Sequence, residues 1–365
     1  MKILLFYRSL SQGGVQKMMI RLANSLSSRG FEVDLLLIRK EGELLDTLNR
    51  NIKIIELRKS GYLSLIPQLC HILKGNKYNI LFTATPSLNI AAIVAKLWSR
   101  SKTKVFISER SDPWNEFIRT KWGIYKLSFL LIPIFYRYAN HVIAVSKGVG
   151  SSIQKLGMIS FKRITVIYNP AFDSQNIPHV NTSVNHKWLY KKDSKVIIAA
   201  GRLQEQKYFS LLINAFSIVA KEVDCKLIIL GEGPLRTELQ DQINRLLLSD
   251  KVDLVGFKIN PIEWIYLSDV FVLSSKWEGF GNILIDALTA QTTIVSTNCK
   301  SGPSEILDNG NYGYMVNSFD DVDLAYQILF AIHNPIDQSK LLDRAKDFSE
   351  DKIVSEYIKL FTEIN

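Results

Sequence analysis

Two acids and two cations sit just after short β-branched runs, and they are where this sequence could do chemistry. In KWEGFGNILIDALTA, residues 276–290, Glu278 stands ahead of an apolar run and Asp286 lies within it. A helix starting near Gly281 leaves its first amides unpaired and its positive end outward, so it can hold a phosphate or sugar hydroxyls. Glu278 in the preceding loop can accept hydrogen bonds from hydroxyls, or it can cap the helix. Asp286 lies one turn beyond Asn282, at the border of an apolar face made by Ile283, Leu284, Ala287 and Leu288. A partly buried acid requires a partner, and either a ligand or an internal salt bridge would serve.

The cations stand in GRLQEQK, residues 201–207, where Arg202 and Lys207 follow the run KVIIAA. Two fixed cations in a cleft can neutralise charge that builds on a departing phosphate; basic residues on a surface loop are the plainer alternative. The next such run ends in GEGPLRTEL, whose Gly231 and Gly233 lack the third glycine of a dinucleotide fingerprint and say only that something approaches the backbone. Near the start, Gly13 and Gly14 in RSLSQGGVQK allow a tight turn into a helix whose N-terminus suits an anion such as a phosphate. That stretch has no P-loop lysine, and a glycine pair here can also be only a turn.

Metal chemistry finds no support in the sequence. The five histidines show no HxxxH or HExxH spacing, and the three cysteines form no CxxC pair and suit a reducing cytoplasm. Asp321 and Asp323 precede a helical run and read as its cap and first turn, not as a metal pair. No metal or cofactor is expected. Charge divides the chain: residues 1–172 hold 26 Lys and Arg against 9 Asp and Glu, a net of +17, whereas the remainder nets −7. The basic half suits phosphates or an anionic surface, or is simply a solvated face.

These residues need a scaffold, and 365 residues with 47% hydrophobic content are about right for two folded domains. Strand candidates in the first half are 2–7, 32–38, 53–57, 79–84, 104–108, 141–146 and 164–168, most of them separated by amphipathic segments. A polar stretch to about Asp193 follows, and the pattern restarts at 195–201, 225–231, 252–256, 270–275 and 292–297. The order predicts two doubly wound α/β domains, with ligands at the carboxyl ends of strands and the cleft between domains as the expected site. The expected division is 1–172 for the first domain, 173–194 for a linker or surface loop and 195–345 for the second. Residues 346–365 are expected as a C-terminal helix that can cross back to the first domain. MKILLFYRSL reads as a buried strand, not a signal peptide, and LSFLLIPIFY is too short to span a membrane, so a cytoplasmic protein is expected.

Taken in order, GGVQ, VIAVSKGV, VIYNP, GRLQEQK, LIILGEGPLRTEL, VDLVGF, SSKWEGFGNILIDAL and SGPSEIL resemble the family-four retaining glycosyltransferases of the GT-B fold. The likeness spans nearly the whole chain and points to bacterial enzymes that build O-antigen, capsule or lipid-linked oligosaccharides. It implies two Rossmann-like domains facing a central cleft, a nucleotide-sugar donor, with a UDP-sugar expected, and no metal. It implies that Arg202 and Lys207 stabilise the donor diphosphate, that Glu278 contacts the donor sugar and that Asp286 holds ribose hydroxyls. Gly13 and Gly14 match glycines near donor phosphate and acceptor, and Phe280, Gly281, Asn282 and Ile283 match a loop presenting backbone amides to the donor. Gly231 and Gly233 belong to the donor-side pattern, and Phe257 lies where the base is usually read.

Two departures stand out. Many members have a histidine after the fifth strand, where ISERSDPW offers Glu109 and Arg110, with Arg110 the nearer counterpart. Asp286 is one methylene shorter than the family's glutamate. Residues 118–140 mix aromatic and apolar bulk with Arg119, Lys121, Lys126 and Arg137. Such a segment can lie on an anionic leaflet, where each basic residue contributes about 1 kcal/mol, or pack on its own sheet. The family favours peripheral attachment at the inner face of the cytoplasmic membrane, where lipid-linked saccharide acceptors reside. A sugar-nucleotide epimerase of the same architecture, or a noncatalytic basic module for membrane or nucleic acid, are the rival readings; no nucleic-acid partner is expected. The sequence does not indicate an oligomeric state.

Overall fold

The computed structural model describes residues 1–11, 13–57, 62–120, 123–179, 181–191 and 193–363. Two compact units emerge: Met1–Pro170 with the C-terminal helix Glu350–Glu363, and Ala171–Ser349. In the first, β1 (Lys2–Tyr7), β2 (Glu32–Leu37), β3 (Lys53–Glu56), β4 (Ile80–Ala84), β5 (Lys104–Glu109), β6 (His141–Ala144) and β7 (Ile164–Val166) form one sheet. Their order is β3-β2-β1-β4-β5-β6-β7, and all pairings are parallel. Helices cover the sheet, so central strands are buried on both faces and read as continuous apolar runs such as ILLFY.

The second unit repeats the plan with β8 (Lys195–Ala200), β9 (Cys225–Leu230), β10 (Val252–Gly256), β11 (Val270–Leu273), β12 (Thr293–Thr297) and β13 (Tyr314–Val316). Its order is β10-β9-β8-β11-β12-β13, again parallel throughout. Both sheets are therefore doubly wound, with chain direction across the sheet reversing at β1/β4 and at β8/β11. At such a switch point the loops leaving the two central strands diverge to opposite faces and open a crevice at their carboxyl ends. The sequence reading lacked β13, which is three residues long, too short to show a period, and buries only Val316 fully.

The described residues of the stretch expected as a linker, 173–194, belong to the second unit. His186 approaches Asp253 at 3.2 Å, its ring lies tilted 5.6 Å from that of Trp264, and Leu189 of the short helix Lys187–Lys191 is buried. Residues after 345 divide differently from the expected helix 346–365. Gln338–Lys346 ends a helix of the second unit, and Glu350–Glu363 is a separate helix of the first. In that unit Tyr357 and Phe361 meet Phe82 at 5.7 and 6.1 Å between ring centroids, and Phe361 meets Phe106 at 5.0 Å. The C-terminal helix thus covers the face of β4 and β5 from which Phe82 and Phe106 project.

Candidate active site

In the second unit, the loops after β8 and β11 carry the candidate residues, and these are the two strands at the switch point. Backbone bonds hold the first loop to the one after β9: Gly201 N donates to Leu230 O, and Leu203 N to Glu232 O, each at 2.9 Å. A Cβ on Gly231 would lie 1.9 Å from Gly201 O, and one on Gly233 2.4 Å from Leu203 O. The backbone that approaches these two glycines is therefore the loop bearing Arg202. They set that loop in place, a role that accounts for the pair without a third glycine.

Lys207 and Glu278 meet. Lys207 Nζ lies 2.6 Å from Glu278 Oε1, with side chains 15% and 8% exposed, so both charges are largely out of water. Ser275 Oγ donates to the same oxygen at 2.7 Å, and Gln206 Nε2 reaches Glu278 Oε2 at 3.4 Å and Trp277 O at 3.0 Å. Lys276 N donates to Gln206 O and Ser274 Oγ to Lys207 O, both at 2.8 Å, which stitches the two loops into one surface. Thr297 Oγ1 supports the second loop from β12 by donating to Ser275 O at 2.7 Å. Behind the pair, burial and then the charge of Glu278 push the Cys299 thiol up to about 12. Sequence reasoning missed Gln206, Ser275, Thr297 and Cys299. The positions of Gln206 and Ser275, beside Lys207 and at the end of VFVLSS, were the available signal.

Arg202 contrasts with Lys207: it is exposed, and its guanidinium makes no hydrogen bond or ion pair with the described residues. The helix after the second loop is Asn282–Thr289, entered through Gly281 at φ +98°, and no side chain caps it. Glu278 is thus not the cap; Lys207 takes it instead. Phe280 turns its ring into the core against Phe348, 5.8 Å between centroids, so only its main chain remains near the loop surface. The buried face of the helix is Leu284, Ile285, Ala287 and Leu288, while Asn282, Ile283 and Asp286 are half-buried together on the other side. This shifts the expected apolar face by moving Ile283 out and Ile285 in. Phe257, after β10, is 60% exposed. Asp320 caps the helix Asp321–His333 through the amides of Val322 and Asp323, leaving Asp321 and Asp323 in its first turn. Among the described residues no three His, Cys, Asp or Glu side chains gather as metal ligands.

In the first unit, Gly13 and Gly14 follow β1 at its switch point and open the helix Gly14–Ser28, with Gly13 extended and no side-chain cap. Arg110, just past β5, donates to Asn169 Oδ1 at 3.1 Å, to the Tyr357 hydroxyl and to Met18 Sδ at 3.5 Å. It is committed to the C-terminal helix, and its cation also stands 5.9 Å from the Tyr357 ring. Glu109 beside it is fully buried, accepts from the Tyr136 hydroxyl and from Asn89 Nδ2 at 2.9 Å, and leaves Oε2 without a partner. Burial pushes its carboxyl up to about 8, against the opposing pull of those two bonds.

On the same unit, the helices Pro113–Arg119 and Ile124–Phe135 bury Phe129 and Ile132 but expose Trp114, Ile118, Leu127, Leu130 and Ile134. Positions 127, 130 and 134 recur at helical spacing, so one stripe is apolar and open, with Arg119, Lys126 and Arg137 nearby. Lys121 lies outside the described residues. No described helix is long and apolar enough to cross a membrane.

Comparison with known proteins agrees with this arrangement. Residues 12–171 match the family described as Glycosyltransferase Family 4, and residues 182–348 match Glycosyl transferases group 1. An uncharacterized glycosyltransferase of Methanocaldococcus jannaschii is 30% identical over 80% of both chains. The N-acetylgalactosamine-N,N'-diacetylbacillosaminyl-diphospho-undecaprenol 4-alpha-N-acetylgalactosaminyltransferase of Campylobacter jejuni is 29% identical over 98% of both. The solved structure of Anabaena HepE in complex with UDP shares the fold, with a TM-score of 0.82 and 19% identity over the full length of both chains. The chain belongs to the family-four glycosyltransferases of the GT-B fold.

Proposed function

We propose that this glycosyltransferase moves a sugar from a UDP-sugar, with retention of configuration, onto a saccharide carried by a polyprenyl diphosphate during assembly of a bacterial surface polysaccharide. The observation that carries the reading is the loop cluster at the β8/β11 switch point, where Arg202, the Lys207–Glu278 pair and an uncapped helix start converge. A nucleotide-sugar already contains its leaving group, so the protein has to meet charge on the departing diphosphate and hold the acceptor hydroxyl on the donor's reacting face. Arg202, Lys207 and the helix start at Gly281 supply positive charge without a metal. Glu278 receives hydroxyls of the donor sugar, Asp286 those of the ribose, and Phe257 lies against the base. Two relatives support the substrates: HepE binds UDP, and the Campylobacter enzyme is named for a diphospho-undecaprenol acceptor.

The open apolar stripe of Ile124–Phe135, set in a half with net charge +17, supports peripheral attachment to an anionic inner leaflet. Incubation of UDP-, GDP- and ADP-sugars with membrane extract should release UDP and yield a sugar-extended lipid. Conversion of the nucleotide-sugar without an acceptor would replace transfer by epimerisation, and salt-sensitive binding without turnover would mark a noncatalytic module. Activity should persist in excess chelator; its loss, restored by a divalent ion, would overturn the metal-free reading. Vesicles rich in anionic lipid should retain the protein at physiological salt, and failure to do so would remove the membrane from the account.

A further inference from the structure

The two cations of the donor loop are not equivalent. Arg202 is exposed and its guanidinium is unpaired among the described residues, whereas Lys207 is already neutralised at 2.6 Å by Glu278. The carboxylate does not depend on Lys207 for its position, because Ser275 holds Oε1 and Gln206 reaches Oε2. It remains where it is if the lysine's flexible stem carries Nζ toward a phosphate. An ammonium this far from water with no counter-charge would draw a diphosphate strongly, and a tightly held diphosphate is a slow product to release.

From this geometry we infer that Glu278, besides meeting the donor sugar, tempers the charge of Lys207 and so sets how readily the spent nucleoside diphosphate leaves. The inference rests on the donor-site reading above. Arg202 captures the diphosphate with its full charge; Lys207 shares its charge between carboxylate and phosphate, engaging as negative charge develops and returning to Glu278 as the product departs.

The test is UDP binding by calorimetry to the full chain, to Glu278→Gln, to Lys207→Met and to the double variant. Glutamine keeps the shape and an acceptor oxygen for Ser275 while removing the counter-charge. Glu278→Gln should bind UDP about tenfold tighter or more, from the loss of one close negative charge. Saturating UDP should also raise its Tm more than it raises that of the unmodified protein. In the Lys207→Met background the same substitution should produce no such gain, since the effect runs through the ammonium. Unchanged or weaker binding by a cooperatively unfolding Glu278→Gln variant overturns the inference while leaving the donor site standing, as does a gain that persists without Lys207. If the unmodified chain binds no nucleoside diphosphate, the donor-site reading itself falls, and the inference with it.

Discussion

Glu278 and Glu109 are both buried near the carboxyl ends of parallel strands, one in each unit, and both accept from a hydroxyl and face a side-chain amide. A cation separates them. Glu278 has Lys207 at 2.6 Å, while the Arg110 next to Glu109 turns to Tyr357 and Asn169. Strand alternation explains the divergence, since Phe106 projects toward the C-terminal helix and Glu109, three residues on, toward Asn89 and the helix Pro86–Ser99. The same side chain becomes half of an ion pair in one unit and a proton holder in the other. Burial without a paired cation drives Glu109 toward its protonated form, whereas a cation set against Glu278 makes a buried acid half of an ion pair.

The largest effect comes from removing the cations on the charged side. Arg202→Ala or Lys207→Ala should lower turnover by about two to three orders of magnitude, as when a stabiliser of developing charge is lost. Steady-state kinetics with the donor identified by the sugar panel checks this, and a variant of either residue with near-normal turnover removes that cation from the mechanism. Arg110→Ala offers the contrast: its bonds to Tyr357 and Asn169 predict a loss chiefly of stability.

On the neutral side, Glu109 ties stability to pH. Its carboxyl is raised from about 4.5 to about 8, so between those values the folded protein keeps a proton that the unfolded chain has released. The unfolded state then binds fewer protons, and stability falls as pH rises through that window. Glu109→Gln removes the slope and should gain about 3 kcal/mol relative to the parent between pH 5 and pH 8, read from urea unfolding at both. Parallel pH profiles for the two proteins would show that Glu109 is ionised in the fold.

Lys207→Met should leave Glu278 a buried carboxylate without a cation. The stranded carboxylate keeps Ser275 and Gln206 but loses its counter-charge, and the variant should be less stable by about 2 kcal/mol at pH 8. Adding Glu278→Gln to Lys207→Met should recover most of that loss in urea unfolding, because no unpaired charge then remains buried. No recovery in the double variant would mean the pair contributes packing alone.

Elements and loop positions were legible in the sequence to a greater extent than side-chain partnerships. Both sheets and the positions of Arg202, Lys207 and Glu278 were legible because buried parallel strands leave continuous apolar runs, and the loops that follow them are where ligands bind. Partnerships were less legible. Lys207 and Glu278 are 71 positions apart, and the hydrogen-bond partners of buried Glu109, Asn89 and Tyr136, lie 20 and 27 positions away on other elements. Nothing in local spacing reports such distances. The inward turn of Phe280 depends on Phe348, and the two-glycine GEG pattern has its reason in a loop some 30 residues earlier. The C-terminal helix showed its amphipathic pattern, but what covers an apolar face is settled by the ring contacts of Tyr357 and Phe361, not by period.

Asp286 extends the comparison to a third acid, neither fully buried nor set in an apolar pocket. It is half-buried beside Asn282 and Ile283, on the side of the helix away from Leu284, Ile285, Ala287 and Leu288. An acid on that side is reachable by a ligand, and with one methylene less than a glutamate it would have to draw a bound ribose closer to the helix axis. Asp286→Ala should weaken UDP binding by about tenfold, the scale of one or two hydrogen bonds from hydroxyls to a charged group. Asp286→Glu should preserve or improve it. Calorimetric titration with UDP and with uracil-containing base alone separates the contributions, since only the former offers a ribose. If alanine leaves UDP affinity unchanged while lowering Tm, Asp286 serves the helix and not the donor. The three acids would then divide into one that handles charge and two that serve the fold.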